Sequence, residues 1–183
     1  KTVEEELQEV FLQIRENIQI RRFVRMEGTL VSYVHGEGRI GVMVMLDTDL
    51  GDKAYDCGKD CALQIAAMNP AYLDRTKVPA EVLAKEKEIM LSQMAEDPKM
   101  KGKPEAVLHK IVEGKVGKYY SENCLVDQEF VKDGDFTVGK YVEKCAKDLG
   151  GSIKVVDYVR FERGEGITKK ADNFADEVAS MIK

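Results

Sequence analysis

Three glycines near the start of the chain have the spacing of a dinucleotide-binding loop. Gly36, Gly38 and Gly41 satisfy the G-x-G-x-x-G pattern, whose glycines allow a tight turn and bring a pyrophosphate close to the N-terminus of a following helix. The next residues, 42–46, are instead a short apolar run bounded by Asp47, which predicts a strand where the helix is required. The pattern therefore favours the turn of a β-hairpin over a phosphate-binding loop.

The histidines and cysteines do not have the spacing of a catalytic or metal-binding site. His35 lies at the predicted hairpin tip, where it either shapes the turn or contacts a partner, and His109 is predicted to be a solvated residue on a polar helix face. The four cysteines are Cys57, Cys61, Cys124 and Cys145. The first two are one helical turn apart with no second close pair, so zinc is not indicated. We expect four reduced, buried or half-buried thiols.

Arginines form a local basic cluster just before the predicted hairpin. Arg21, Arg22 and Arg25 are predicted to lie on a strand, with Arg39 close to them across the turn. The cluster either binds an acidic partner or is solvated and paired with neighbouring glutamates.

The overall composition is that of an ordinary soluble protein. Of 183 residues, 28 are Lys or Arg and 33 are Asp or Glu, and the net charge of -5 disfavours nucleic-acid binding through bulk charge. No apolar run approaches the ~20 residues of a membrane span, and residues 1–6 lack the apolar core of a signal peptide. We therefore expect a cytoplasmic protein with no direct nucleic-acid or membrane partner.

The elements around these residues are predicted from hydrophobic periodicity. Apolar residues at helical spacing indicate an amphipathic helix over 2–18, which Thr2 and Glu5 begin with a capping box. The elements predicted after it are strands at 19–34 and 39–46, a helix at 54–69, a loop around 127–135, a helix from the Thr137 cap to Gly150, a strand at 152–162 and a helix from about 171 to 182. This order predicts an α+β fold in which a small antiparallel sheet packs with helices.

Two polar helices are predicted in the middle of the chain, at 80–96 and 104–120, on either side of a helix-breaking segment that contains Pro98. Their narrow apolar stripes are typical of antiparallel helices that protrude from a core as a coiled coil. The predicted parts are an α+β core part with the β-hairpin at 1–79, the helical hairpin at 80–120, a continuation of the core at 121–168 and a C-terminal helix module at 169–183.

Several short runs together resemble one family of translation factors. They are Glu16-Asn17-Ile18-Gln19-Ile20-Arg21-Arg22, Tyr33-Val34-His35-Gly36 leading into Arg39-Ile40-Gly41-Val42, Val112-Glu113-Gly114-Lys115, Phe130-Val131, Thr137-Val138-Gly139 and Arg160-Phe161-Glu162-Arg163-Gly164-Glu165-Gly166-Ile167. No single run would be sufficient, but they follow the order of the elongation factor Ts family and cover nearly the whole chain. On these residues the sequence resembles that family.

The resemblance implies a guanine-nucleotide exchange factor for elongation factor Tu, the GTPase that delivers aminoacyl-tRNA to the ribosome. Such a factor binds the GDP-bound partner and disturbs its magnesium and phosphate site, so that GDP leaves and GTP can bind. A factor that prefers the nucleotide-free partner lowers the affinity for nucleotide by the same coupling free energy. The resemblance therefore implies no enzyme activity and no cofactor, in agreement with the missing catalytic pattern.

The resemblance also implies which residues contact the partner. They are Ile14 and Arg15 at the end of the first helix, His35 at the turn, Val131 in the loop before the Thr137 helix, and Phe174, Val178 and Met181 in the terminal helix. Some relatives have a glycine where this chain has Arg15, so the close backbone approach that a glycine allows is not implied there.

Two family segments do not occur in this sequence: a small N-terminal helical domain, and a Thr-Asp-Phe-Val segment whose Asp and Phe intrude near the partner's magnesium site. We therefore expect a C-terminal fragment that binds GDP-bound and nucleotide-free elongation factor Tu with reduced exchange activity. Two alternatives stay open. One is a helical-hairpin interaction module that forms a homodimer without exchange activity, and the other is a nucleotide-binding enzyme based on the three glycines.

Overall fold

A computed structural model of the protein describes residues 1–16, 18–100 and 102–167. Its helices are α1 (Val3–Ile14), α2 (Tyr55–Met68), α3 (Ala80–Glu96), α4 (Glu105–Asn123) and α5 (Val138–Leu149), and its strands are β1 (Thr29–His35), β2 (Ile40–Thr48), β3 (Glu129–Phe130), β4 (Asp133–Thr137) and β5 (Ile153–Glu162). The predicted α+β fold is confirmed. The terminal helix predicted at 171–182, with Phe174, Val178 and Met181, lies outside the described residues.

The main sheet has three antiparallel strands in the order β1, β2, β5. Strands β1 and β2 are joined by a turn at residues 36–39, so the predicted β-hairpin is confirmed. Met45 of β2 pairs with Asp157 of β5. The next residue of β2 pairs with Val155, so Val156 is the extra residue of a β-bulge. The bulge explains why the apolar alternation of this strand breaks at Asp157.

The first strand is shorter than predicted. The strand expected over 19–34 begins only at Thr29, and residues 18–27 have no regular structure. Thr29 pairs with Leu46, close to the end of β2, so earlier residues have little of β2 left to pair with. Gly28, with a φ of 143°, turns the backbone out of the strand at that point. The prediction for 19–28 was wrong because strand-forming residues need a partner strand as well as propensity.

The main hydrophobic core lies where α2 and α5 pack on the sheet. Its largest contributors are Val31, Val42, Val44, Leu46, Cys57, Cys61, Ile65, Leu125, Phe130, Val138, Val142, Ile153 and Val155. Gly58 allows the close approach of α2, since a Cβ atom there would lie 2.7 Å from Val31 Cγ2 and 2.9 Å from Leu46 Cδ1. The four cysteines are free thiols, three buried and Cys145 half-buried, as predicted.

Helices α3 and α4 pack on each other through a second, smaller cluster. Its buried members are Met94, Val112 and Val116, with Leu83, Met90, Met100, Leu108, Ile111 and Tyr120 packed against them. Met94 near the end of α3 and Leu108 near the start of α4 line one groove, whereas Glu86 and Tyr119 line another. The two helices are therefore antiparallel, as predicted.

The loop predicted around 127–135 contains a second sheet. Strands β3 and β4 pair antiparallel across a tight turn. Phe130 of β3 is buried and stacks on Tyr141 of α5, with the ring centroids 4.1 Å apart. This part was missed because a two-residue strand leaves no periodic pattern, and the contact with Tyr141 is between distant elements.

Candidate protein-binding surface

His35 ends β1 and opens an exposed turn, residues 35–39, which we call the His35 turn. Gly36, Glu37 and Gly38 have φ angles of 57°, 54° and 83°. The backbone N–H of Arg39 donates to the carbonyl of His35 at 3.0 Å. Since glycine adopts positive φ without a steric penalty, the two glycines allow this turn to form.

The imidazole of His35 is exposed and contacts the ring of Tyr33. The Tyr33 hydroxyl hydrogen-bonds His35 Nδ1 at 2.8 Å, and the ring centroids are 5.9 Å apart. When that hydroxyl donates, a neutral imidazole carries its own proton on Nε2 and can donate it to another molecule. In the described part of the chain no carboxylate is hydrogen-bonded to this ring, so its arrangement suits recognition better than proton transfer.

Val131 lies between β3 and β4, in residues 130–133, which we call the Val131 turn. The residue is 43% exposed. Its backbone N–H donates to Oε1 of Gln64 at 2.9 Å. Gln64 is fully buried in α2, and its Nε2 donates to the carbonyl of Glu129 at 3.0 Å and to Oε1 of Gln128 at 3.1 Å. A buried side chain from another element therefore holds this turn.

A second contact ties the Val131 turn to α2 through Lys132, whose ammonium group pairs with Asp60. Asp60 lies one helical turn before Gln64 and also accepts a hydrogen bond from the Tyr141 hydroxyl at 2.5 Å. Burial, and then the hydrogen bond to Asp60, raise the pKa of Tyr141, so the phenol stays protonated and donates at neutral pH.

Ile14 and Arg15 lie at the end of α1, which finishes earlier than the predicted 2–18. Arg15 has left-handed backbone angles, φ 60° and ψ 28°, and its N–H donates to the carbonyl of Phe11 at 2.7 Å. Glycine is favoured at this position after a helix. Ile14 is 54% exposed, and α1 buries none of its side chains in the described structure. The apolar face of α1 is thus open to solvent.

The arginine cluster is paired with glutamates and does not lie on a strand, because residues 18–27 have no regular structure. Arg22 pairs with Glu165, and its guanidinium group lies 4.4 Å from the centroid of the Phe161 ring. Arg25 pairs with Glu27. Of the two interpretations from the sequence, these contacts favour internal pairing.

In residues 1–16, 18–100 and 102–167 no group of acidic, His or Cys side chains could hold a metal ion, and no helix is long and apolar enough to cross a membrane. The pKa of Cys57 is raised, mainly by its contact with Cys61, and burial raises that of Cys124 to about 11. Both thiols are therefore protonated at neutral pH and are poor nucleophiles. Gly41 lies within β2, so no helix follows the glycine pattern.

The structure places the described candidate residues on three separate exposed elements. Ile14 ends α1 and Arg15 follows it, His35 ends β1, and Val131 lies between β3 and β4. Helix α2 contacts two of these elements: it packs on β1, which ends at His35, and its Gln64 side chain holds the Val131 turn. The sequence patterns did not predict the roles of Gln64 and Gln128. The signal available was a glutamine inside the apolar run of residues 61–66.

These features define an α+β protein with a three-stranded antiparallel sheet and a separate helical hairpin. The sequence model of the family described as Elongation factor TS matches residues 1–165. The chain belongs to the elongation factor Ts family.

Three curated relatives named Elongation factor Ts show how much of the family this chain covers. This chain is 48% identical over 172 residues to the Elongation factor Ts of Clostridium acetobutylicum, and the match covers 92% of this chain and 55% of the relative. It is 46% identical over 188 residues to that of Syntrophotalea carbinolica and 44% identical over 187 residues to that of Clostridium kluyveri, covering 100% of this chain and 61% and 60% of those relatives. The chain thus spans little more than half the length of these relatives.

Proposed function

We propose that this protein is a guanine-nucleotide exchange factor that acts on elongation factor Tu during translation elongation. It binds the GDP-bound partner and prefers the nucleotide-free form, so GDP leaves and GTP can bind. The observation that carries the proposal is the family match over residues 1–165. By linkage, binding that favours the nucleotide-free partner weakens nucleotide binding by the same factor.

The proposed contacts with the partner are the residues that the family resemblance implies. Ile14, His35 and Val131 are exposed in the described structure and are therefore available for binding. Arg15 follows Ile14 at the end of α1. Phe174, Val178 and Met181 belong to the same proposal, although they lie outside the described residues.

The proposed role requires no bond-making chemistry by this chain. A protein that acts by differential binding needs neither a catalytic residue nor a cofactor, and it is not an enzyme in that sense. Since the partner delivers aminoacyl-tRNA to ribosomes, the proposed location is the cytoplasm, and neither nucleic acid nor a membrane is a direct partner.

The proposal is tested by the release of fluorescent GDP from purified elongation factor Tu, together with binding measured by calorimetry. We expect binding of the GDP-bound and nucleotide-free partner, with weak acceleration of GDP release. Failure to bind either form at tens of micromolar would overturn the assignment of the partner.

A second candidate function is dimerisation through the helical hairpin. Ile89 and Leu91 of α3 and Val107 of α4 are 40%, 44% and 40% exposed, and a second copy of the hairpin could cover them. Leu91→Glu would then convert a dimer to a monomer in sedimentation experiments. Under the primary proposal the same variant keeps its sedimentation behaviour and its affinity for elongation factor Tu.

A further inference from the structure

Two glutamines are the fully buried polar side chains of the described structure. Gln64 in α2 is 0% exposed, and Gln128, just before β3, is 1% exposed. A buried amide lowers stability unless its donors and acceptor find hydrogen-bond partners. An apolar side chain would fill the same space without that requirement, so the hydrogen bonds of the two amides need an explanation.

The two amides form a continuous chain of hydrogen bonds. Nε2 of Gln128 donates to the carbonyl of Glu122, in the last turn of α4, at 2.9 Å. Oε1 of Gln128 accepts from Nε2 of Gln64 at 3.1 Å, and Oε1 of Gln64 accepts from the N–H of Val131 at 2.9 Å. This series of hydrogen bonds connects the end of α4 in the helical hairpin to the Val131 turn through the two buried amides.

The Val131 turn depends on such outside support. Strand β3 contains two residues, and a short two-stranded sheet is at best marginally stable by itself. Gln64 hydrogen-bonds the backbone on both sides of Phe130, because it donates to the carbonyl of Glu129 and accepts from the N–H of Val131. Because hydrogen bonds are directional, these contacts set the orientation of the turn as well as its distance from α2.

We propose that Gln64, supported by Gln128, is a positioning residue that holds the Val131 turn in the orientation in which the partner binds it. This inference rests on the proposed function, because it assumes that Val131 meets elongation factor Tu. Gln64 itself is buried and acts only through the turn. Buried polar side chains that select one arrangement at some expense of stability are known in other proteins.

Amide hydrogen exchange of the unmodified protein tests the holding contact without any variant. The N–H of Val131 lies in a surface turn, yet its hydrogen bond to a buried oxygen predicts slow exchange. Exchange at the rate of an unprotected peptide would overturn the proposal. This measurement still decides the question if substitutions at position 64 prevent folding.

A double-mutant cycle tests whether Gln64 acts through Val131. Gln64→Met keeps a similar shape and removes the amide, and we expect it to weaken binding to elongation factor Tu about tenfold. Val131→Ala also weakens binding, and the double variant binds no more weakly than Val131→Ala alone, because residues that act as one unit are not additive. Gln93→Met, an exposed glutamine on α3, is the matched control and binds normally.

The outcomes separate failure of this inference from failure of the proposed function. Additive losses in the double variant, or normal binding of Gln64→Met or of Val131→Ala, would overturn the positioning role. If His35→Ala still weakens binding in that case, the exchange-factor proposal stands. If the unmodified protein does not bind elongation factor Tu, the proposed function fails and the positioning role fails with it.

Discussion

The His35 turn and the Val131 turn are both exposed and carry proposed partner contacts, but they are held in different ways. The His35 turn takes its shape from its own backbone, in which Gly36 and Gly38 have positive φ. The Val131 turn is held by Gln64, a buried side chain that lies 67 residues earlier in the chain. The first turn is local in origin, and the second depends on the packing of α2.

This difference in support determines which substitutions should alter the structure of each turn. A change in the glycines of the His35 turn acts on that turn alone, because its closing hydrogen bond joins Arg39 to His35. A change that displaces α2 acts first on the Val131 turn, because α2 carries both Asp60 and Gln64. A single substitution can therefore alter one turn and leave the other unchanged.

The largest effect is expected from Gly58→Val, which adds side-chain atoms where even a Cβ would lie 2.7 Å from Val31. Overpacking of this kind lowers the free energy of unfolding by about 1–3 kcal/mol, which urea denaturation measures. Because α2 must shift, we expect faster amide exchange at Val131 than in the unmodified protein, with little change at Arg39.

The matched control for that variant is Gly114→Ala in α4, where a Cβ would meet nothing within 4 Å. Alanine should raise stability there by up to about 1 kcal/mol, because it favours the helix. Equal loss of protection at Val131 and Arg39 in Gly58→Val would contradict the separation of the two turns.

A smaller effect is expected from Gly38→Ala, because Gly38 has a φ of 83° and open space around it. Only backbone strain opposes the new methyl group, and it lowers the free energy of unfolding by about 1 kcal/mol. Amide exchange at Arg39 should rise while exchange at Val131 stays slow.

Gly41→Ala is the control for Gly38→Ala, since Gly41 also has open space around it but lies in β2 without a positive φ. Alanine there should be neutral, or stabilising by about 0.5 kcal/mol. If Gly41→Ala is as damaging as Gly38→Ala, the strand geometry at the third glycine of the pattern is wrong.

The smallest effect on stability is expected from His35→Ala, because the ring is exposed and contacts mainly Tyr33. The free energy of unfolding should change by less than about 0.5 kcal/mol, whereas affinity for elongation factor Tu falls about tenfold. Thermal unfolding and calorimetric binding measure the two effects. A lower melting temperature with unchanged affinity would mean that His35 serves the turn alone.

Local patterns in the sequence predicted much of the fold. Glycines predicted the His35 turn, and the capping box of Thr2 and Glu5 is present at the start of α1. Thr137 accepts the predicted capping hydrogen bond at α5, from the N–H of Lys140. Each of these features depends on residues a few positions apart, so the sequence contains the relevant information directly.

The features that sequence patterns did not predict depend on distant contacts. Residues 19–28 have strand-forming side chains but no partner strand, and β3 is too short to give a periodic pattern. Gln64 occupies an apolar face of α2, and its role appears only when Gln128 and Val131 lie beside it. The sequence therefore predicted the His35 turn and named Val131 as a contact. It did not predict that Gln64 and Gln128 hold the Val131 turn.

We propose that this protein binds elongation factor Tu and favours its nucleotide-free form. The most direct test is stopped-flow release of fluorescent GDP from elongation factor Tu at increasing concentrations of this protein, with His35→Ala as the comparison. We expect saturable binding, a modest rise in the rate of GDP release and a weaker effect of the variant. A release rate that does not change, with no complex formed at tens of micromolar, would contradict it.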